Sequence, residues 1–439
     1  MTEPGRLLRR DVTAALRQGT VPRKGLDLFA VGTDRFAEVL DEELDRVAGG
    51  AGVFKALRGD FGCGKSFTAR WFQQRALARG FAVSEVQISE NDTPLHRLET
   101  VYRRAMEGLR TAQHSKGAFR AVVNTWLLSL EDEAVKKGVS IEDDVAIQRA
   151  VAGLLEKRLS EVSATQPQFA AALRGCHAAQ VREDLATFEG LLGWLMAQPN
   201  VGASVTRSAG LRGQIDHTGA YAFLRGLLEL LRQCGHPGLL LVLDEVETIQ
   251  RVKADVREKG LNGLRQLVDY VAEGKFPGLY LLITGTPAFF DGAHGVRRSL
   301  PLSQRLTVDF SGDPRFDNPR DAQIRLLPFT RERLVEVGRK VRDLFPAKDP
   351  ERLTATVDDA LIRALADQVC GKLGGKTGIA PRIFLRKLVA DVLDKVDLYP
   401  DFDPREHYQL KISVAELSEQ ERRAIEADGI SIDDINLEL

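Results

Sequence analysis

The sequence predicts an α/β fold in three layers, a parallel sheet between helices, with a long helical insertion and a helical C-terminal lid. Three observations predict it. A glycine-rich turn, GDFGCGKS (Gly59–Ser66), lies between a strand-like run and a helix-like one. Two short runs, GLLLVLDE (Gly238–Glu245) and GLYLLITGT (Gly278–Thr286), are apolar almost throughout, the pattern of strands covered on both faces. Most of the remaining chain carries helical spacing.

In chain order, residues 6–18 read as a short basic helix, and Gly19–Arg35 as an extended, turn-rich linker. Phe36, Val39, Leu40, Leu44 and Val47 then fall at helical spacing within Phe36–Ala48. Strand patterns follow at Val53–Leu57 and Phe81–Ile88, and the helix between them starts at Lys65 and stops near Gly80. From about Leu95 to Gln233 the pattern is mostly helical. It weakens at Val162–Pro167 and at the Gly- and Ser-rich run Val201–Gly213, which reads as a mobile loop. Tyr221, Leu224, Leu227, Leu228 and Leu231 form the core face of the next helix. Both apolar strands are entered through Pro-Gly, and helices return from Arg331. The expected division is 1–50 for an N-terminal helix and linker, 51–110 and 216–327 for the core, 111–215 for the helical insertion, 328–398 for the lid and 399–439 for an acidic tail.

GDFGCGKS fits G-x-x-x-x-G-K-[ST] without a mismatch, so the fold is expected to be that of a P-loop NTPase. Glycines at 59, 62 and 64 let successive backbone N–H groups face one point, with a helix N-terminus behind them. The cradle is then Gly59, Asp60, Phe61, Gly62, Cys63, Gly64, Lys65, Ser66 and Phe67. Lys65 is placed to reach the β- and γ-phosphates, and Ser66 to put its hydroxyl on Mg²⁺. A cysteine in this turn is a small tolerated residue, or a thiol made reactive by the helix N-terminus.

The strand LLLVLDEVE (Leu239–Glu247) delivers Asp244 at its C-terminal edge, where open α/β sheets bind ligands. Asp244 would hold Mg²⁺ through water, and Glu245 would orient or deprotonate the attacking water. An acidic pair can also merely cap a helix, but it stands here beside an intact P-loop. A carboxylate directly after the Asp is foreign to a plain switch GTPase, and no Asn-Lys-x-Asp guanine signature occurs, so ATP is the expected nucleotide. The strand LLITGT should lie between the two motifs, with Thr284 or Thr286 touching both γ-phosphate and water. His96 reads as a packing histidine, and Arg257 as part of a solvated helix face.

The bulk properties narrow the classes. With 439 residues, 44% hydrophobic and 28% charged, the chain is an ordinary globular protein with room for two or three domains, or for one large α/β domain with a helical appendage. No stretch approaches the ~20 apolar residues of a membrane span, and the N-terminus does not read as a signal peptide. Cys63, Cys176, Cys234 and Cys370 are scattered, which points to reduced thiols and a cytoplasmic setting. A net charge of −1 gives no global reason to expect nucleic-acid binding.

The residues resemble an AAA+-type ATPase of the origin-recognition/STAND neighbourhood, and more closely the ATP-binding proteins of bacteriophage-exclusion (BREX) defence systems, their D component in particular. The matching segments are GTVPRKGLDLFAVGTDRF, GDFGCGKSF, VSEVQISENDTPLHRLETVYRR, LVLDEVETIQRV, LLITGTPAFF and GIAPRIFLRKLV. The stretch from about 110 to 215 carries no match. The resemblance implies that Val21, Pro22, Val31 and Gly32 contact the adenine. The family's Gly-Arg-Glu there reads Gly32-Thr33-Asp34, with threonine in the arginine's place. It implies Arg305 as an arginine finger offered to a neighbouring subunit, and Arg382 as a lid arginine reaching back to its own nucleotide, with Arg386 as competitor. It also implies other defence-system proteins as partners, a homo-oligomer, and DNA as a candidate track. The tail is too short and too acidic for a winged-helix DNA-binding domain. Two functions compete: an ATPase coupled to partners, and a nucleotide-gated switch with little turnover. A small-molecule kinase is a third, for which no paired lid arginines speak.

Overall fold

The computed structural model describes residues 5–140, 142–372, 380–413 and 416. The chain opens with α1 (Arg6–Arg17), α2 (Asp34–Ala48), β1 (Val53–Arg58), α3 (Lys65–Ala78), β2 (Ala82–Gln87) and α4 (Leu98–Glu107). The insertion follows as α5 (Ala118–Lys136), α6 (Asp144–Thr165), α7 (Pro167–Val181), α8 (Leu185–Leu195) and α9 (Ala203–Ser208). The chain then returns through α10 (His217–Gln233), β3 (Leu239–Asp244), α11 (Ala254–Ala272), β4 (Leu279–Gly285), α12 (Pro287–Asp291), α13 (Leu300–Leu306) and β5 (Gln323–Arg325). The lid is α14 (Arg331–Leu344), α15 (Pro350–Thr356), α16 (Asp359–Lys372) and α17 (Ala380–Lys387), which runs on through a π-helical turn.

Among the described residues the strands form one sheet in the order β2-β3-β4-β1-β5, with every neighbouring pair parallel. β4 therefore separates the glycine-turn strand β1 from β3: Leu57 pairs with Thr284, and Leu243 with Ile283. The place of β4 between the two motifs is the one expected from the sequence. β5 was not foreseen, because Gln323-Ile324-Arg325 is three residues long and has no apolar run.

The period-2 alternation of side chains sorts the sheet into two cores. Leu239, Leu241 and Leu243 of β3 with Leu279, Leu281 and Ile283 of β4 face the helices of the insertion, α10 and α11. Leu240, Val242, Tyr280 and Leu282 face α2, α3 and the lid. Both faces are covered, which is why these runs read as continuously apolar.

The insertion is docked on the first face. Phe223 of α10 meets Tyr102, Phe169 and Trp194 edge-on, at centroid distances of 6.2, 5.4 and 5.3 Å. Gly226 makes room for Phe169, since a Cβ there would sit 2.8 Å from the ring. Truncating such a buried ring costs about 3–5 kcal/mol. The run Val201–Gly213 is not the loose loop expected: it contains α9, Val205 packs onto Gly190, and Leu211 is buried. Two isolated anchors give no periodicity, so the sequence could not reveal them. The expected tail, 399–439, lies only in part within the described residues. Leu410 and Ile412 are buried in the second core, and most of the remainder lies outside the described residues.

A buried ion pair braces the start of the site. Lys55 of β1 lies 2.7 Å from Glu43 of α2, and donates to the carbonyls of Pro319 and Asp321 before β5. Tyr280 of β4 donates to the same glutamate at 2.6 Å. Four segments thus converge on one satisfied polar cluster, the condition under which a buried charge pair is tolerated.

Candidate nucleotide site

β1, β3 and β4 end at one edge of the sheet, and the site is built there. After Arg58 the chain turns through Gly62 (φ +80°) and Gly64 (φ +94°), a left-handed backbone that a Cβ would strain. Gly59 serves clearance: a Cβ would stand 2.4 Å from Cys63 Sγ and 3.0 Å from the Leu326 carbonyl. α3 begins at Lys65, so its unpaired N–H groups open onto the turn. Lys65 is buried and donates to the carbonyls of Gly59 at 2.9 Å and Asp60 at 3.1 Å, with Phe61's ring 5.0 Å away.

Asp244, at the end of β3, accepts from Ser66 Oγ at 2.9 Å and from the Thr284 hydroxyl. Burial lifts its carboxyl above the ordinary value, and the two hydroxyl donors pull it back. The backbone N–H of Glu245 donates to the Thr284 oxygen at 3.0 Å. Glu245 itself is left-handed at φ +59°, uncommon for a residue with a Cβ and a conformation that costs on the order of 1 kcal/mol. Gln87, at the end of β2, donates to its carboxylate at 3.3 Å. The structure thus separates the two threonines: Thr284 joins Asp244 to Glu245, whereas Thr286 sits at the start of α12 with no side-chain capping bond.

Beside this cluster opens a cleft of about 370 Å³ between the N-terminal segment, the glycine turn and the lid. Val21, Pro22, Val31 and Gly32 all line it, as do Phe61, Gly62, Cys63, Gly64, Lys65, Ser66 and Phe67. Arg382 of α17 lines it too; Arg386 is not among the lining residues. Arg382 Nη2 donates to the Glu416 carbonyl, while the Glu416 carboxylate pairs with Lys387 at 2.8 Å and Arg386 at 3.6 Å. Arg305, half-exposed on α13, is ion-paired with Asp269 of α11 and does not line the cleft.

Sequence reasoning missed several wall residues. Phe29 and Phe329 add aromatic surface, and Arg333 of the lid packs over Gly32, where a Cβ would lie 3.3 Å from its Cζ. It also missed Glu247, two residues beyond Glu245, which lines the cleft while only 5% exposed. The signal was present as a third acid in LDEVE. Cys63 settles as a packed thiol: burial outweighs the nearby Lys65 and pushes it up to about 11, against the reactive alternative.

A hydroxyl and a carboxylate 2.9 Å apart are a hard-oxygen pair of the type Mg²⁺ takes alongside phosphate oxygens. Aromatic and aliphatic walls leading to a glycine turn suit a nucleoside attached to phosphates. Among the described residues, no helix is long and apolar enough to cross a membrane. A search among curated proteins finds no match to the chain. The sequence model of one family, described as BREX system ATP-binding protein BrxC/D, matches residues 6–412. A match that begins in α1 and runs past the lid takes in every element lining the cleft, and this chain therefore belongs to the BrxC/D family of BREX system ATP-binding proteins.

Proposed function

We propose that the chain is an AAA+-like ATPase that hydrolyses ATP to ADP and phosphate, and that its nucleotide state governs engagement of other BREX proteins. The observation that carries this reading is the Thr284 hydroxyl joined at once to Asp244 and to the N–H of Glu245. It fixes a potential water-orienting carboxylate one residue from a potential metal-holding one. Adenine would enter between Val21, Pro22, Val31 and Gly32, and the triphosphate would lie along the turn Gly59–Ser66, of which Phe61–Ser66 line the cleft. Ser66 and Asp244 would hold Mg²⁺, which when bound neutralises phosphate charge. Lys65 would leave its own loop carbonyls for the β- and γ-phosphates. Glu245 would accept the proton of the attacking water, and Thr284 would keep that carboxylate aligned. Arg382 would report on the nucleotide from the lid. Arg305 would act on a second copy of the chain once it parts from Asp269.

One observation favours the second reading, a switch with little intrinsic turnover. In this conformation Lys65 is folded onto its own loop and Glu245 is held by Gln87, so two groups must move before chemistry. The test is steady-state ATP hydrolysis across a protein-concentration series, with and without double-stranded DNA. Turnover that rises with concentration supports an assembling ATPase, and DNA stimulation would name its track. A flat, negligible rate with ATP binding retained supports the switch.

A further inference from the structure

Glu247 has a place in the cleft that neither packing nor the proposed hydrolysis explains. It sits in the helical turn Val246–Arg251 directly after Asp244 and Glu245, between the buried Val246 and Ile249. Its side chain is 5% exposed, and neither carboxylate oxygen has a hydrogen-bond partner on any other described residue. A buried carboxylate in that state costs several kcal/mol, and natural folds keep few of them. Its neighbouring cation is Lys65, whose Nζ stands 4.0 Å from Oε1, within reach of charge but beyond hydrogen bonding. Lys65 directs two N–H groups at the Gly59 and Asp60 carbonyls, so one remains to turn toward Glu247 or toward an incoming anion.

We propose that Glu247 is a positioning residue for Lys65: it holds the ammonium before nucleotide binds and opposes the phosphates, so ATP must displace the Lys65–Glu247 pairing to bind. The inference rests on the nucleotide site proposed above. The charged groups acting on Glu247 are Lys65 from α3, which favours its ionised form, and Asp244 and Glu245 from the end of β3, which oppose it. A triphosphate adds further negative charge on the same side as the two acids. Glu247 therefore discriminates by charge: each phosphate added near the start of α3 meets more opposition. ATP gains Lys65 through its γ-phosphate, and ADP gains less. The consequence has an unusual sign. Removing the carboxylate both releases Lys65 and removes repulsion, so it tightens ATP binding.

The experiment is calorimetric titration of the full chain with Mg-ATP and Mg-ADP at about pH 8, where the Glu247 carboxylate is mostly ionised, comparing wild type, Glu247→Gln and Glu247→Met. The two variants are neutral and close in volume, so either one carries the test if the other fails to fold. The expected result is ATP bound about tenfold tighter in each variant, the scale of a unit charge a few ångströms away once screening by the open cleft is counted, with ADP affected by about threefold or less. A merely structural role would not change the ATP-to-ADP ratio. Unchanged ATP affinity overturns the inference. So does weaker ATP binding, which would make Glu247 a direct contact of the nucleotide or its metal. A wild-type chain that binds no ATP would refute the site assignment itself, a different failure from either.

Discussion

Thr284 clamps Asp244: its hydroxyl donates to Asp244 Oδ1 from the adjacent strand while accepting the N–H of Glu245. The clamp follows from topology, because β4 lies between β1 and β3 and its last inward residues face both motifs. Thr284→Val keeps the shape and deletes the hydroxyl. ATP turnover should fall by at least about tenfold with ATP affinity little changed, since the loss falls on alignment of the water-activating group. Stability should drop by about 1–3 kcal/mol, because the buried Asp244 carboxylate loses a donor and the half-buried Glu245 N–H its acceptor. Thr286→Val should leave turnover near wild type. Equal losses in both variants would return the choice between the threonines to even ground.

The lid arginine gives a second prediction. Arg382 lines the cleft, and Glu416 engages it and its helix neighbours Arg386 and Lys387. Arg382→Ala should weaken ATP binding by about tenfold, the value of one charge-assisted contact to phosphate. Glu416→Ala, which removes the carboxylate paired with Arg386 and Lys387 of that helix, should tighten it. Calorimetry on both variants checks the pair, and opposite signs are the expected outcome.

Cys63 yields a chemical prediction. With its thiol pushed up to about 11 by burial, fewer than about one molecule in a thousand is thiolate at pH 7.5. A disulfide reagent should therefore label Cys63 only as fast as the protein opens, with urea accelerating it. Rapid labelling of the native chain at Cys63 would contradict the packed-thiol assignment. Gly59→Ala should abolish ATP binding, because its methyl group would collide with Cys63 Sγ.

The buried Glu247 predicts a pH dependence of stability. Burial lifts its carboxyl to about 7 from the usual 4.5. The folded state then holds the proton more tightly than the unfolded one. Its stabilising contribution is full below the unfolded value and is lost as pH rises through about 7. The loss amounts to at most about 3 kcal/mol. Other acids titrate too, so the comparison is with Glu247→Gln. The Tm advantage of that variant without nucleotide should grow between pH 5 and pH 8. A constant difference would mean the carboxyl ionises normally.

The sequence disclosed what repeats or is chemically specific. Continuous apolarity in Leu239–Leu243 and Leu279–Ile283 announced strands covered on both faces, and the spacing from Gly59 to Ser66 announced the turn. β5 escaped because three residues, of which Ile324 alone is apolar and buried, are too few to show a strand pattern. The wall residues Phe29, Phe329 and Arg333 escaped for another reason. Each comes from a segment whose own pattern is ordinary, and only the closure of lid over linker brings them together. Glu247 was visible as a letter but not as a problem, since its cost arises from burial that no local pattern encodes.

The most direct test of the central claim compares ATP binding and ATP turnover in wild type and Glu245→Gln under the same conditions. The account predicts that the variant binds ATP as well as wild type and loses turnover by about 10²–10⁴-fold, the usual worth of a general base. Full hydrolysis by Glu245→Gln would contradict it, and would mean that the left-handed residue held by Thr284 and Gln87 is not the group that activates water.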